Sequence, residues 1–207
     1  MGGEAMSKAS ERLAKQIDFF KEIDKLKRVE RRTLLTERVR YENSAEHSWH
    51  LAVTAMLLSE YALDAERPLD QLRVLKMIIV HDLVEIDAGD TFVYDDKARS
   101  DQADREKRAA DRIFAMLPHD QGTEIRELWE EFEARATAEA QFAAALDRLQ
   151  PLLLNFFSGG SGWQKNGVLR KQVEAINRPA IEKGAPQLWE FVRGVLDEAV
   201  ERGFLKT

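Results

Sequence analysis

An imidazole and a carboxylate stand side by side at His81-Asp82, and a second carboxylate, Glu85, follows one helical turn later. On a single helix the first two can reach one divalent metal. Glu85, four residues from His81 and three from Asp82, shares their face, where an activated water needs a base. Two other stretches offer further ligands: Asn43–His50 places His47 in the first turn of a helix, and Ala144–Leu149 carries Asp147 as a lone acid on an apolar face. An acid among Ala and Leu pairs with a neighbour such as Arg148 or Arg135, or is compensated by a metal, because burying it alone is costly. If these groups converge, they form a hydrolytic metal centre, which needs several fixed ligands and an open position for water. If they do not, His81-Asp82 is a polar helix end.

The bulk composition narrows what such a centre can be. The chain has 207 residues, 44% hydrophobic and 33% charged, enough for one well-buried core. There is no cysteine, so thiolate ligands, disulfides and a cysteine nucleophile are excluded, and any transition-metal site draws on carboxylates and four histidines. A net charge of −6 argues against a nucleic-acid polymer as partner. Met1–Ser10 lacks the apolar stretch of a signal peptide, and no run approaches the ~18 apolar residues of a membrane span, so a cytoplasmic protein without a membrane partner is expected.

Helical periodicity runs through most of the chain. Leu13, Ile17, Phe20, Ile23 and Leu26 predict a first helix over Ser10–Lys27, and Val29–Tyr41 lacks helical spacing and reads as an ordered loop. Asn43 or Ser44 caps a second helix to about Leu63, with Glu46 in its first turn as a capping acid and with Trp49, Ala52, Val53, Met56 and Leu57 as its apolar positions. Pro68 opens a third, Leu69 to Asp87, apolar on nearly all sides and so the expected buried central helix, with Gly89 as its left-handed cap. A loop at Thr91–Ser100 precedes helices over Asp101–Met116, Thr123–Ala134, Thr137–Phe157 and Arg178–Arg202. A glycine-rich break at Ser158–Gly162 and a short helix from Val168 lie between the last two. The expected architecture is all-α, one domain over residues 1–207, with a core at about 10–157 and C-terminal helices 166–203 packed on it.

Ala45-Glu46-His47-Ser48, Val80-His81-Asp82-Leu83-Val84-Glu85 with Gly89-Asp90, and Leu146-Asp147-Arg148-Leu149 together resemble the HD-domain phosphohydrolases. They are most similar to the 5′-deoxynucleotidase group. The match runs in order over about residues 10–157. The resemblance implies a helical bundle with a mononuclear divalent metal at its centre, held by His47, His81, Asp82 and Asp147. It implies Glu85 as acid/base, Asp90 near the sugar and the leaving oxygen, and Arg32, fifteen residues before His47, on the phosphate. Thr33 stands where the best-known bacterial members have a tryptophan that helps exclude ribonucleotides, so a wider range of nucleotides is implied.

The implied reaction is metal-assisted hydrolysis of a small-molecule nucleotide monoester. Two imidazoles and two carboxylates suit Mn, Co, Fe, Zn or Ni better than Mg. Lys97 reads as a solvated loop lysine. With His47 and His81 assigned, only His50 and His119 remain, which disfavours a two-metal phosphodiesterase site. Hydrolysis of a nucleoside polyphosphate such as guanosine tetraphosphate or a dNTP is an alternative within the same ligand set, and a non-catalytic helical metal-binding module is an alternative outside it. The family is commonly homodimeric; the last helix, with Leu188, Phe191, Val192, Val195, Leu196 and Val200, offers an apolar stripe either to a partner or to its own core.

Overall fold

The computed structural model describes residues 2–63 and 68–207. Pro68 lies outside any helix, and the expected helix start at Leu69 moves to Gln71, where the Asp70 side chain accepts from the Arg73 amide at 3.0 Å. In chain order the helices are α1 (Gly2–Ile23), α2 (Ser44–Leu58), α3 (Gln71–Val80), α4 (Glu85–Ala88), α5 (Asp96–Arg99), α6 (Gln102–Phe114), α7 (His119–Ala134), α8 (Ala138–Phe157), α9 (Ser161–Asn166), α10 (Arg170–Gly184) and α11 (Pro186–Glu201). The single helix expected over Arg178–Arg202 is two, because Pro186 cannot continue α10 and instead opens α11 at its first turn. Among the described residues no helix is long and apolar enough to cross a membrane.

Val29–Tyr41 is not a loop throughout. Strands β1 (Glu30–Leu34) and β2 (Tyr41–Asn43) form an antiparallel pair beside the helices. Glu30 faces Asn43 and Leu34 faces Tyr41, so β1 advances four residues while β2 advances two, and Arg31, Arg32 and Thr33 lie in a bulge. A bulge re-aims side chains that strict alternation would send to opposite faces.

The centre of the molecule is α8 rather than α3. Leu146, Leu149, Phe142 and the alanines around them are buried on α8, whereas Leu72 and Ile79 of α3 are exposed. Thr137 caps α8 through the Ala140 amide. α10 runs along α8 so closely that a β-carbon at Gly184 would meet the Gln141 carbonyl oxygen at 2.1 Å. Leu188, Val192, Val195 and Leu196 of α11 are buried, so that stripe packs on its own core and only Phe191 of it is largely exposed.

α2 inverts the expected orientation. His47, Ser48, Leu51 and Ala55 face inward, while Trp49, Met56 and Leu57 are more than 60% exposed. α1 behaves likewise: Phe19 is buried, and Leu13, Ile17 and Phe20 point out. Burying the imidazole of His47 with its hydrogen-bond partners takes the inner face of α2, and the apolar stripe is left outside.

Candidate metal centre

The cap of α2 aims the first ligand. Asn43 Oδ1 accepts from the Glu46 amide at 2.9 Å, and Glu46 Oε2 accepts from the Asn43 amide at 3.1 Å, a reciprocal box that fixes the first turn. His47, on that turn, is fully buried. Its Nδ1 lies 3.0 Å from Gln150 Oε1. The Gln150 amide nitrogen already donates to Glu42 Oε2 at 2.9 Å, so the oxygen accepts and His47 Nδ1 carries the proton. The Nε2 lone pair of His47 therefore points at Asp147, whose Oδ1 is 3.1 Å away.

The second pair of ligands sits where the helix tightens. The helix expected over Leu69–Asp87 becomes a 3₁₀ segment at His81–Val84 between α3 and α4. There His81 Nδ1 donates to the Ile78 carbonyl at 2.7 Å, which leaves its Nε2 without a hydrogen-bond partner. That buried atom is 3.0 Å from Asp82 Oδ1 and 3.8 Å from Asp147 Oδ1. Ligand atoms of His47, His81 and Asp82 all lie within 4.8 Å of one another, and Asp147 closes the group against both imidazoles. Two oriented Nε2 atoms, one of them orphaned, with two carboxylates beside them are a donor set that fits a divalent ion.

Electrostatics agrees with a cation at this point. Burial disfavours a charged His81, yet the Asp82 and Asp147 carboxylates overcome it and push the imidazole well above its usual value. Burial pushes Asp147 up, but its hydrogen bond with His47 and the nearby His81 imidazole hold its carboxyl well below the usual carboxylate range. For His47 burial wins, and Arg31 adds to it, so the ring is held neutral, the form that ligates.

Glu85 and Asp90 flank this group. Ser44 Oγ donates to Glu85 Oε2 at 2.6 Å, and burial, reinforced by the Asp82 charge, raises Glu85 well above its ordinary value. Asp90 is raised by burial too. Gly89 turns the chain between them at φ +74° and ψ 152°, backbone that favours glycine, though not the left-handed helical cap expected. A cavity of about 520 Å³ opens here, walled by Asp82, Glu85, Asp90 and Asp147 and, further out, by Arg99, Arg135 and Arg148. A smaller one of about 60 Å³ shares Asp90, Asp147 and Arg148 with it.

Arg32 faces that smaller cavity, with its guanidinium 5.1 Å from the centre of the Phe92 ring; Thr33, which is buried, lines it as well. The arginine among the acids is Arg31, whose Nη1 is 3.0 Å from Asp82 Oδ2 and 3.4 Å from Asp90 Oδ1. Sequence reasoning missed Arg31, Glu42 and Gln150. Nothing local marks them, since the bulge and the packing of α8 against α2 bring them in. His50 is half-buried beside Gln150, and His119 and Lys97 are exposed.

The HD domain family model matches residues 23–189. The chain is 33% identical over 138 residues to the 5′-deoxynucleotidase HDDC2 of Xenopus laevis, covering 66% of each protein. It is 32% identical to the Homo sapiens 5′-deoxynucleotidase HDDC2, covering 66% of this chain and 65% of that one. The match thus spans just under two thirds of these curated relatives. A solved structure of a predicted metal-dependent phosphohydrolase from Magnetospirillum magnetotacticum MS-1 superposes with a TM-score of 0.88, at 52% identity, over 95% of this chain and 96% of that one.

Proposed function

The chain belongs to the HD domain family, and on that premise we propose that it is a metal-dependent phosphohydrolase that removes the 5′-phosphate of ribo- or deoxyribonucleoside monophosphates. The observation that carries this reading is the cluster of His47, His81, Asp82 and Asp147 with the raised carboxyls of Glu85 and Asp90 at its edge. A structural metal has no use for two such acids. The similarity to proteins named 5′-deoxynucleotidase supports the substrate class.

His47, His81, Asp82 and Asp147 hold one divalent ion, with Mn, Co, Fe, Zn or Ni favoured over Mg by the two imidazoles. The ion supplies Lewis acidity at a phosphoryl oxygen and toward water. Glu85 accepts a proton from the attacking water, whose oxygen bonds to phosphorus as the bond from phosphorus to the 5′-oxygen breaks. Asp90 gives its proton to that departing oxygen, so nucleoside and inorganic phosphate leave. Raised carboxyl values suit both roles, because each group holds a proton more readily than an ordinary carboxylate. Arg32 binds the phosphate by charge-assisted hydrogen bonds, and Thr33, in place of a bulky ring, leaves room for a 2′-hydroxyl.

Arg99, Arg135 and Arg148 on the cavity wall favour a second reading, hydrolysis of a nucleoside polyphosphate by the same centre. The remaining assignments are one HD domain over the chain, a cytoplasmic setting, and a homodimer formed through the exposed apolar faces of α1 and α2 rather than through α11.

Phosphate release from deoxy- and ribonucleoside monophosphates, dNTPs and guanosine tetraphosphate, with added Mn or Co, tests the activity. Turnover of monophosphates is expected, and Glu85→Gln should lower it by about 10²–10⁴-fold while sparing metal binding. Bound metal without turnover of any nucleotide overturns the enzyme reading in favour of a metal-binding module.

A further inference from the structure

Asp82 divides its two oxygens. Oδ1 is 3.0 Å from His81 Nε2, on the metal side, and Oδ2 is 3.0 Å from Arg31 Nη1, on the other. The same Nη1 is 3.4 Å from Asp90 Oδ1 and 3.9 Å from Glu85 Oε1, so one nitrogen touches three carboxylates on a side chain that is only 11% exposed. A fourth, Glu42, lies 3.5 Å from Arg31 Nε, where both atoms lack a hydrogen-bond partner. That last contact is electrostatic, without directed bonding.

Four carboxylates gathered this closely around one point form a pocket whose chemistry favours a cation among them. Oxygen donors from three carboxylates, one of them bridging to a neighbouring metal, are also the surroundings that hard divalent ions take. The guanidinium sits at that point, and it keeps its charge at every accessible pH. β1 brings it there: Arg31 meets the acids, while Arg32, the next residue, rests against Phe92 in the adjoining cavity.

We infer that Arg31 is a built-in cation: its guanidinium takes the place of a second divalent ion beside Asp82, limits the centre to one metal, and holds Asp82, Glu85 and Asp90 in position. The inference rests on the reading that His47, His81, Asp82 and Asp147 bind a metal. Arg31 is thus a positioning residue, distinct from the phosphate-binding role given to Arg32.

Dialysis of the full chain against Mn²⁺ up to millimolar concentration, followed by elemental analysis, reads the stoichiometry directly. The wild type and Arg31→Lys, which keeps a cation, should each hold one ion per chain. Arg31→Met should hold two, the second weaker, with an exchange-coupled Mn–Mn signal in electron paramagnetic resonance. If Arg31→Met loses its circular dichroism signal, the double variant Arg31→Met/Glu42→Gln removes one acid together with the cation, and two ions are expected there. One ion or none in the folded Arg31→Met or the double variant overturns the inference, as do two ions in the wild type. A wild type that binds no ion overturns the metal reading itself.

Discussion

The side-chain oxygen of Gln150 lies 3.0 Å from Nδ1 of His47, while the amide nitrogen of the same Gln150 donates to Glu42 at 2.9 Å and lies 3.1 Å from Nδ1 of His50. One amide, from the middle of the central helix, thereby decides which nitrogen of His47 is free to ligate. The carbonyl of Ile78 does the same for His81. Both imidazoles present Nε2 because both Nδ1 protons are already engaged.

Gln150→Ala removes that acceptor and frees His47 to rotate or to change tautomer. Metal affinity should fall by about 10–100-fold, read by competition with a fluorescent chelator, while Gln150→Glu, which keeps an acceptor, should lose less.

Metal should stabilise the fold. The two carboxylates and two imidazoles of the centre come from α2, α8 and the 3₁₀ turn between α3 and α4, so an ion bound there ties these elements together. Saturation at 100 times the dissociation constant contributes about 2.7 kcal/mol. Thermal melting with EDTA and with excess Mn²⁺ should show a higher Tm with metal, and His47→Ala should remove most of that difference.

A second network, away from the centre, sets acid sensitivity. Buried Glu22 accepts from Lys25 at 2.7 Å and from Arg112 at 2.6 Å, and Arg112 also pairs with Asp87, so α1, α4 and α6 are joined. The Lys25 hydrogen bond, against the cost of burial and with Arg112 assisting, holds Glu22 below its ordinary carboxylate value. A carboxyl depressed in the folded state stabilises fully above its unfolded value, about 4.5, and that contribution is lost as pH falls through the folded value. Glu22→Gln should therefore cost about 1 kcal/mol at neutral pH and little at the acid end. Urea titrations at pH 7 and pH 3 check this.

The exposed faces of α1 and α2 should govern assembly. Met56 and Leu57 are 64% and 69% exposed on the same side as Trp49. Met56→Glu together with Leu57→Glu should convert a dimer to a monomer by light scattering, with the melting temperature of the monomer little changed, since neither side chain belongs to the core. Phe191→Glu on α11 should leave the dimer intact.

The helical class, most of the helices and the candidate groups His47, His81-Asp82, Glu85 and Asp147 were legible along the chain as local patterns of residue type and spacing; Asp90 entered only through the family resemblance, and the strand pair did not register. Which face of α2 turns inward was not legible. Periodicity records where apolar side chains recur, and Trp49, Met56 and Leu57 do recur at helical spacing, but the inward face went to His47, whose ring nitrogens find Gln150 and Asp147 only there. The same limit hid the cation of the centre. Arg31 and Arg32 are adjacent and chemically identical, and only the folded strand pair sets the guanidinium that meets Asp82 apart from the one that rests on Phe92. The sequence by itself determined which donors exist and in what order; the tertiary structure decided which of them share a buried volume, where low polarity makes each charge require its partner.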